Sequence, residues 1–413
     1  MNRTKLWSVT AIVILVGSVV LAGACGGAPA ENVIKIGAPN PLSGPAAGWG
    51  LPADRGLRMM VDDVNDAGGI TVGGETYTFE VVSADTEGTV EGAIAAANKL
   101  VNQDQVQYAV GGIFKETTIA LTSVFTPAGV LHFRQCWGYD CLCTNDTYTF
   151  RLGSSPQEYS PTLWTHLLDM PEYSNSTKWA FCAADSPGHH ELTQQLEAPF
   201  EPLGLCKTAE EYFPFEQVEF HSVIEAIMET EPDGICYSGG TPVQVALLAK
   251  QFKEHGHDLP FLFPAPVSSD VFVDAVGVNY SEGIITVTVN EGGPWATPEM
   301  EAFRAAYVDE YGLWESNVVE VSSGFQILVE AMKEADSVQV ADVIAVLEAG
   351  GPFDSVVGEQ AIAGEELYGY NHQVFQDRVI WRVEDGAGVA ISLMTWEEQI
   401  DLMIEYLDYI QTP

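Results

Sequence analysis

Residues 33–70 read VIKIGAPNPLSGPAAGWGLPADRGLRMMVDDVNDAGGI, which combines an apolar strand, a Gly/Pro/Ser turn, a helix with an acidic face and a Gly-Gly turn. Two further stretches continue the pattern, YTFEVVSADTEGTVEGAIAAANKLV at residues 77–101 and VQYAVGG at residues 106–112. Strand and helix in this order predict a βαβ unit. The loops that follow the strands of such a unit are suited to small-molecule recognition.

The alternation of strands and helices continues along the 413 residues, which exceed the usual size of one hydrophobic core. Strands are predicted at 33–39, 79–85, 108–112, 129–133, 147–153, 178–185, 209–215, 234–240, 259–266 and 283–289. Helices are predicted at 53–67, 90–102, 117–125, 190–203, 218–229, 242–255, 269–276, 298–311, 322–335 and 338–349. The pattern therefore predicts an α/β protein of two doubly wound lobes, with a ligand in the crevice between them.

The segments at 33–112 resemble the start of the type I periplasmic substrate-binding proteins of ABC importers, in particular the Leu/Ile/Val-binding subgroup for branched-chain amino acids and amides. The resemblance continues across nearly the whole chain. It implies the periplasmic binding protein type I fold, in which a three-crossover hinge joins two Rossmann-like lobes. Residues 33–152 plus 287–370 are expected to form lobe 1, and residues 153–286 plus 371–413 to form lobe 2.

The N-terminus is typical of an export signal. Arg3 and Lys5 give a basic start, and residues 11–21 form an uncharged apolar run that is too short and too early for a membrane span. Residues 1–24 are therefore predicted to be a lipoprotein signal peptide. No second long apolar run follows, which excludes a channel or an integral permease.

Small residues precede Cys25, and the segment resembles a bacterial lipobox, although Ala22 stands where a larger aliphatic residue is usual. Cys25 is predicted to be lipidated, with residues 25–32 as a flexible tether. This would place the protein outside the cytoplasm, either anchored to the outer face of the cell membrane or periplasmic. The alternative is ordinary cleavage after Ala24.

The charge is strongly acidic. The formal net charge is −41, and loss of two basic residues with the signal peptide would bring it to −43. Self-repulsion at this charge favours solubility and disfavours nucleic acid or anionic lipid as partners, so the membrane would be reached only through the N-terminal lipid. The simplest interpretation is a solvated acidic surface on a monomer.

The resemblance assigns candidate ligand contacts to the loops of lobe 1. Trp49 matches an aromatic residue that walls the pocket; its alternative role is packing between strand and helix. Lys115, Glu116 and Thr117 open a helix at the place where the family holds a ligand carboxylate with hydroxyl groups and a helix N-terminus. Lys115 replaces the family's serine, so it either binds the carboxylate or remains solvated or paired with Glu116.

The loop after the strand at 129–133 departs further from the family. Cys136 and Gly138 occupy the positions of backbone and hydroxyl contacts to an amino acid. Arg134, Trp137 and Tyr139 surround them. This loop is larger, more cationic and more aromatic than a site for an aliphatic amino acid requires.

Three positions in lobe 2 also match family contacts. His189 stands where an aromatic residue closes over the ligand, and Thr241 stands at a tyrosine. Ala265 replaces a glutamate that pairs with the ligand ammonium. A buried ammonium without a counter-charge is costly. Unless Glu116 or Asp185 substitutes, the ligand is expected to lack a free α-amino group.

The candidate site thus offers the positive groups Lys115, Arg134 and His189 against aromatic walls. We expect a small carboxylate, aromatic or otherwise planar, as the ligand. An amide or urea-like solute is the alternative, because residues 369–373 (GYNHQ) resemble amide-binding relatives. A branched-chain amino acid is the third ligand class.

Six cysteines follow Cys25, and an even number outside the cytoplasm favours disulfides. Cys136 could pair with Cys141 or Cys143. The remaining three, Cys182, Cys206 and Cys236, lie on strands predicted to neighbour one another. Metal sites are not predicted, because no Cys or His spacing matches a structural zinc motif.

Signatures of enzymes are absent from the sequence, including a nucleophile elbow, a P-loop and a dinucleotide fingerprint. No cofactor is expected. The sequence therefore predicts a solute receptor that closes its lobes over one ligand and presents it to an ABC permease and ATPase in separate chains. The alternative of a different class is a sensory receptor subunit.

Overall fold

The computed structural model describes residues 32–138, 141–142 and 146–411. The predicted signal peptide, Cys25, the tether up to residue 31, Tyr139 and Cys143 lie outside the described residues. The strands are β1 (Asn32–Asn40), β2 (Ile70–Val72), β3 (Glu75–Asp85), β4 (Tyr108–Val110), β5 (Leu131–Arg134), β6 (Thr149–Arg151), β7 (Lys178–Ala184), β8 (Cys206–Phe213), β9 (Gly234–Gly239), β10 (Phe261–Phe263), β11 (Ile284–Val289), β12 (Phe353–Ser355), β13 (Gly358–Ala363), β14 (Gln373–Gln376), β15 (Arg378–Glu384) and β16 (Ala387–Met394).

The helices alternate with these strands. They are α1 (Ala47–Asp66), α2 (Val90–Lys99), α3 (Lys115–Ala128), α4 (Pro156–Asp169), α5 (Pro187–Glu197), α6 (Phe200–Leu203), α7 (His221–Met228), α8 (Pro242–Glu254), α9 (Ser269–Val276), α10 (Val278–Ser281), α11 (Pro298–Tyr311), α12 (Asn317–Ala335), α13 (Val340–Glu348), α14 (Glu365–Tyr368), α15 (Trp396–Glu405) and α16 (Leu407–Ile410). Within the described residues, no helix is both long and apolar enough to span a bilayer.

The strands form two mixed sheets, one in each lobe. The first has the order β12-β13-β14-β6-β5-β4-β1-β3-β2, and the second has the order β16-β15-β11-β10-β9-β7-β8. The central pairs are parallel, while β2, β12, β13, β15 and β16 add antiparallel edges. This is the predicted fold class, two doubly wound α/β lobes. All parallel strands of one sheet direct their carboxyl ends, and the loops after them, to one side.

The first lobe is built around β1, which pairs in parallel with β3 on one side and β4 on the other. Its last five residues, from Ile36 to Asn40, are buried, as expected for a parallel strand covered by helices on both faces. Helices α1 and α12 pack together over this sheet, and α12 contributes Phe325, which meets Phe79 of β3 edge to face with ring centroids 5.0 Å apart. The rigid sheet therefore fixes where the loops after β1 and β4 emerge.

The chain crosses between the sheets three times. It leaves the first sheet after β6, returns after β11 and crosses again between β14 and β15. Strand β11 ends at Val289 and strand β14 ends at Gln376, so the second and third crossings lie near residues 290 and 377, compared with the predicted 287 and 371.

Two buried ion pairs lie at these crossings. Arg378 of β15 donates to Glu320 of α12 over 2.8 Å and to the carbonyl oxygen of Ser154 over 2.7 Å. Arg151 of β6 pairs with Glu158 of α4. All four charged side chains are at most 2% exposed. Each pair joins an element of one lobe to an element of the other. Two buried ion pairs, shielded from water, therefore connect the lobes at the hinge.

Helix α1 begins at Ala47, six residues before the predicted start at 53. The prediction placed the start directly after Pro52. In the structure the first turn forms ahead of the proline: the backbone N–H groups of Trp49 and Gly50 donate to the carbonyl oxygen of Ala46. Trp49 therefore lies in the first turn of α1 rather than in the preceding loop.

Candidate functional site

Helix α3 begins directly after the loop that follows β4, with Lys115 as its first residue. The preceding residue, Phe114, has φ 72° and ψ 140°, a conformation that bulky residues rarely adopt and that is found at functional sites. The hydroxyl of Thr117 is buried and donates to the carbonyl oxygen of Ile113. Thr117 therefore bonds to the backbone, and the charged residues in the first turn of α3 are Lys115 and Glu116.

Lys115 reaches across to the other lobe. Its Nζ lies 2.6 Å from Oε1 of Glu191, which belongs to α5. The two side chains are only 16% and 25% exposed. Gly138 lies against both: a Cβ at this position would be 2.9 Å from Oε2 of Glu191 and 2.9 Å from Cδ of Lys115. The charged groups of both lobes therefore meet beside the loop that contains Gly138.

Trp49 also lies between the lobes. Its side chain packs against the core of lobe 2 and against a small cluster of lobe 1 formed by Ala53, Ile113 and Val321. Its carbonyl oxygen accepts a hydrogen bond from Nδ2 of Asn317. A half-buried indole with apolar contacts in both lobes is placed to form one wall of the cleft between them. Contact between Trp49 and a ligand stays a prediction.

The loop after β5 is closed by a disulfide between Cys136 and Cys141, the first of the two pairings that the sequence allowed. Arg134 donates to the carbonyl oxygen of Cys141 and lies 4.0 Å from Asp146. Its side chain is 3% exposed. Arg134 therefore supports the backbone of this loop, and the ligand contact predicted for it is untested.

Two polar groups of the same loop lack a hydrogen-bond partner among the described residues. They are the indole N–H of Trp137 and the side-chain amide of Gln135, which is 2% exposed. Buried polar groups are normally paired, and an unpaired group at a candidate site is often completed by water or a ligand. Sequence reasoning did not select Gln135; its position two residues after a predicted strand was the available signal.

His189 lies in the first turn of α5 and its Nδ1 lies 2.7 Å from the carbonyl oxygen of Ala184. The ring stacks on Phe215 with centroids 5.7 Å apart. Burial lowers the pKa of His189, and the charge of Glu116 on the facing lobe opposes this effect. The imidazole is therefore neutral at neutral pH and supplies an aromatic surface rather than the positive charge considered from the sequence.

Thr241 is the N-cap of α8. Its Oγ1 accepts from the backbone N–H of Gln244 over 3.2 Å, and the Gln244 side chain returns to the Thr241 backbone, which completes a capping box. The neighbouring Gly240 is needed for space, because a Cβ there would collide with the hydroxyl of Tyr237. The Thr241 hydroxyl is thus part of the helix cap, and a ligand contact is untested.

Thr241→Ala is expected to lower the free energy of unfolding by about 1 kcal/mol, because the backbone N–H of Gln244 loses its acceptor. Thr241→Ser keeps that acceptor and should differ little from the parent protein. Urea unfolding followed by tryptophan fluorescence measures both variants. Equal stability of the alanine variant and the parent would show that the cap contributes nothing.

Ala265 is 8% exposed and belongs to the apolar core of lobe 2. The position therefore offers no carboxylate to a ligand. Glu191, which sequence reasoning did not select, is a carboxylate that lobe 2 brings to Lys115. The only sequence signal was its place two residues after His189.

Other features of the described residues lie apart from this site. An open cavity of about 490 Å³ is lined by residues near the second crossing, including Asp270, Glu291, Arg304 and Trp314. It contains none of the predicted ligand contacts, so cavity size does not identify the site. The described residues contain no group of three or more His, Cys, Asp and Glu side chains placed to hold a metal ion.

Comparison with known proteins agrees with the fold. A family model described as "Periplasmic binding protein" matches residues 33–387. The Leucine-, isoleucine-, valine-, threonine-, and alanine-binding protein of Pseudomonas aeruginosa is 24% identical over 337 residues, which cover 80% of this chain and 87% of the relative. Leu/Ile/Val-binding protein homolog 1 of Brucella abortus is 24% identical over 345 residues, 81% of this chain and 86% of the relative.

Two solved structures are similar over most of their length. The branched-chain amino acid transporter substrate binding protein LivJ of Streptococcus pneumoniae, in complex with isoleucine, has a TM-score of 0.74 at 19% identity and covers 88% of this chain and 100% of that one. A solute binding protein of an ABC transporter from Rhodopseudomonas palustris, in complex with 3,4-dihydroxy benzoic acid, has a TM-score of 0.72 at 20% identity. The match covers 88% of this chain and 98% of that one. Because the family model spans nearly all of the described chain, the protein belongs to the periplasmic binding protein family, whose members are extracytoplasmic solute-binding partners of ABC permeases and are not enzymes.

Proposed function

We propose that this protein captures a small carboxylate-bearing solute between its lobes and delivers it to an ABC permease. The observation that carries the proposal is Lys115, which places an ammonium group at the start of α3, between the lobes and beside Gly138. The helix N-terminus adds its own partial positive charge at the same point. A ligand carboxylate would be attracted both by the Lys115 ammonium and by the partial positive charge of the helix N-terminus.

The aromatic nature of the ligand is supported by Trp49, which packs against both lobes, and by the unpaired indole N–H of Trp137. A planar ring would stack on the former and an oxygen acceptor would pair with the latter. The Rhodopseudomonas palustris neighbour has 3,4-dihydroxy benzoic acid bound, an aromatic carboxylate.

Ala265 offers no carboxylate to a ligand ammonium, which favours a ligand that lacks a free α-amino group unless Glu116 or Asp185 substitutes. Glu191 beside Lys115 is a third carboxylate that could pair with an ammonium.

A branched-chain amino acid is the second candidate ligand. It is supported by the names of the relatives from Pseudomonas aeruginosa and Brucella abortus, and by the acidic group of Glu191 beside Lys115. An amide or urea-like solute, the alternative drawn from residues 369–373, is a further candidate ligand. The partner could instead be a signalling protein that reads the closed form, which would make the chain a sensory subunit.

The membrane attachment is also proposed from the sequence. Lipid on Cys25 would hold the folded part, a monomer, at the outer face of the cell membrane through a short tether. Mass spectrometry of the N-terminal peptide from protein expressed with its signal would show a diacylglyceryl-modified Cys25. An unmodified peptide that begins at Cys25 would indicate ordinary cleavage after Ala24.

A thermal-shift screen tests the ligand class, because a solute that binds only the folded state raises the melting temperature. The purified protein is screened with aromatic and aliphatic carboxylates, amino acids, amides and urea. We expect stabilisation by carboxylate-bearing compounds. Stabilisation by neutral amides alone would overturn the proposal in favour of an amide-binding protein.

A further inference from the structure

Two histidine side chains of lobe 2 meet where α7 begins and α8 ends. Nδ1 of His221, the first residue of α7, lies 3.0 Å from Nε2 of His255, the residue directly after α8. The two histidines are 34 positions apart in the chain, so no sequence spacing indicated their contact. On the other side of the His221 ring, Nε2 lies 3.2 Å from Oε1 of Glu225, one turn further along α7.

The backbone that carries His221 is fixed to α8. Gln251 of α8 donates from Nε2 to the carbonyl oxygen of Val218, and its Oε1 accepts from the backbone N–H of Phe220, each over 2.7 Å. The side chain of Phe220, directly before His221, is fully buried. His221 is therefore held beside the end of α8 by a defined backbone, and the meeting of the two rings follows from the packing of the two helices.

The hydrogen bonds determine which nitrogens carry lone pairs. A carboxylate only accepts, so the neutral ring of His221 donates from Nε2 to Glu225, and its Nδ1 keeps a lone pair. The hydrogen between the two rings then belongs to Nε2 of His255. Metal-binding histidines normally donate their other ring N–H to a carboxylate, which fixes the tautomer and the direction of the ring. Glu225 has this position relative to His221.

The distance between the rings suits two ligands of one metal ion. Bonds of about 2.0–2.1 Å from a metal to imidazole nitrogens, set at a right angle, place the two nitrogens about 2.9 Å apart. The observed 3.0 Å matches this separation. Right angles are typical of copper(II) and nickel(II), which also favour imidazole ligands. His255 would free its Nε2 by passing the proton through water to its Nδ1.

We propose that His221 and His255 form a binding site for a divalent transition-metal ion, nickel(II) or copper(II), in which Glu225 orients His221. The side chain of His221 is 64% exposed, so its ring can turn toward the ion and water can complete the coordination. The formal net charge of −41 raises the concentration of cations near the surface.

The metal site lies apart from the cleft. Helix α8 starts at the loop after β9, on the side of the sheet that faces the cleft, and His255 follows its last residue. The helix has 13 residues, so its two ends lie about 20 Å apart. Metal binding is therefore independent of the proposed solute site, and failure of one proposal leaves the other standing.

Calorimetric titration of the purified, untagged protein with nickel(II) chloride tests the site. Nickel(II) is the probe because, unlike copper(II), it does not oxidise the exposed thiol of Cys206. The parent protein should bind nickel saturably. His221→Gln and His255→Gln should each bind it roughly 100-fold more weakly, because the ion loses one of two linked ligands. Glu225→Gln should weaken binding about tenfold, because the ring of His221 is no longer oriented.

His190→Gln is the matched control. His190 also pairs with a carboxylate, that of Asp185 at 2.9 Å, but its ring stacks on Tyr212 instead of facing an imidazole. This variant should bind nickel as the parent does. Thermal melting without metal shows whether each variant is folded. The inference is overturned if the parent does not bind nickel saturably, or if His221→Gln or His255→Gln keeps the parent affinity, since the ion is then held elsewhere.

Discussion

Glu320→Ala should lower the free energy of unfolding by about 3–5 kcal/mol, because it leaves the guanidinium of Arg378 buried without its counter-charge. The Arg378 side chain is 2% exposed and Glu320 is 0% exposed. The guanidinium keeps its bonds to Ser154, but these are with a neutral carbonyl and a hydroxyl. The expected loss of stability is therefore that of removing an ionic partner from a buried charge, which is larger than the loss of a single hydrogen bond.

The same helix provides the control. Glu330 pairs with Lys333 at 2.7 Å, but the two side chains are 36% and 48% exposed. Glu330→Ala should cost less than about 1 kcal/mol, since water screens this pair. Urea unfolding of both variants measures the difference. If the two variants are equally stable, the buried pair does not hold the hinge.

A double replacement distinguishes lost charge from lost packing. Glu320→Leu combined with Arg378→Met removes both charges and keeps similar side-chain volumes, so it should recover most of the stability lost in Glu320→Ala. Since Arg378 also stacks on Tyr159 at 4.9 Å, the methionine retains an apolar contact there.

Lys115→Met should weaken binding of the best carboxylate-bearing solute by about 1.5–3 kcal/mol, the usual contribution of a hydrogen bond to a charged group. This corresponds to roughly 10–150-fold in the dissociation constant. Two effects act in the same direction: the ligand loses its ammonium partner, and Glu191 is left to repel the ligand carboxylate. Calorimetric titration measures the change.

Lys99→Met is the control for a general loss of positive charge, because Lys99 lies on the surface of lobe 1 and pairs with Asp104. It should bind the solute with unchanged affinity. Combining Lys115→Met with Glu191→Gln separates the two effects, since the repulsion disappears in the double variant and part of the affinity should return. Parent-like affinity in Lys115→Met alone would show that the carboxylate is held elsewhere.

The local sequence pattern was sufficient to predict most of the strands and helices. The parallel strands β1, β4, β7 and β9 were predicted because buried strands bounded by glycine-rich turns are distinctive even in one sequence. Helix α4, at Pro156–Asp169, was not predicted. Ten of its residues are buried, around most of its circumference, so the sequence shows no apolar stripe with a polar opposite face. Pro161 within it further concealed the helix.

The candidate site was predictable only in part. The loops after the strands could be located, since the carboxyl ends of parallel strands lie on one side of each sheet. The roles of individual side chains in those loops could not be read in the same way. Thr241 turned out to cap α8, and Arg134 supports the disulfide loop, because each found a backbone partner that only the folded chain brings near.

The sequence by itself determined most of the strand and helix order and the two lobes, because these follow from periodicity and from turn residues that act over a few positions. The family followed from the resemblance carried by residues 33–112. The tertiary structure alone decided that Glu191 faces Lys115, that Cys136 bonds to Cys141 and that Glu320 neutralises Arg378. Charges attract whatever partner the fold brings within a few ångströms, and the two long-range pairs join residues 76 and 58 positions apart on different lobes. No local pattern encodes such a distance, so the electrostatic character of the cleft emerges only when the two lobes are in place.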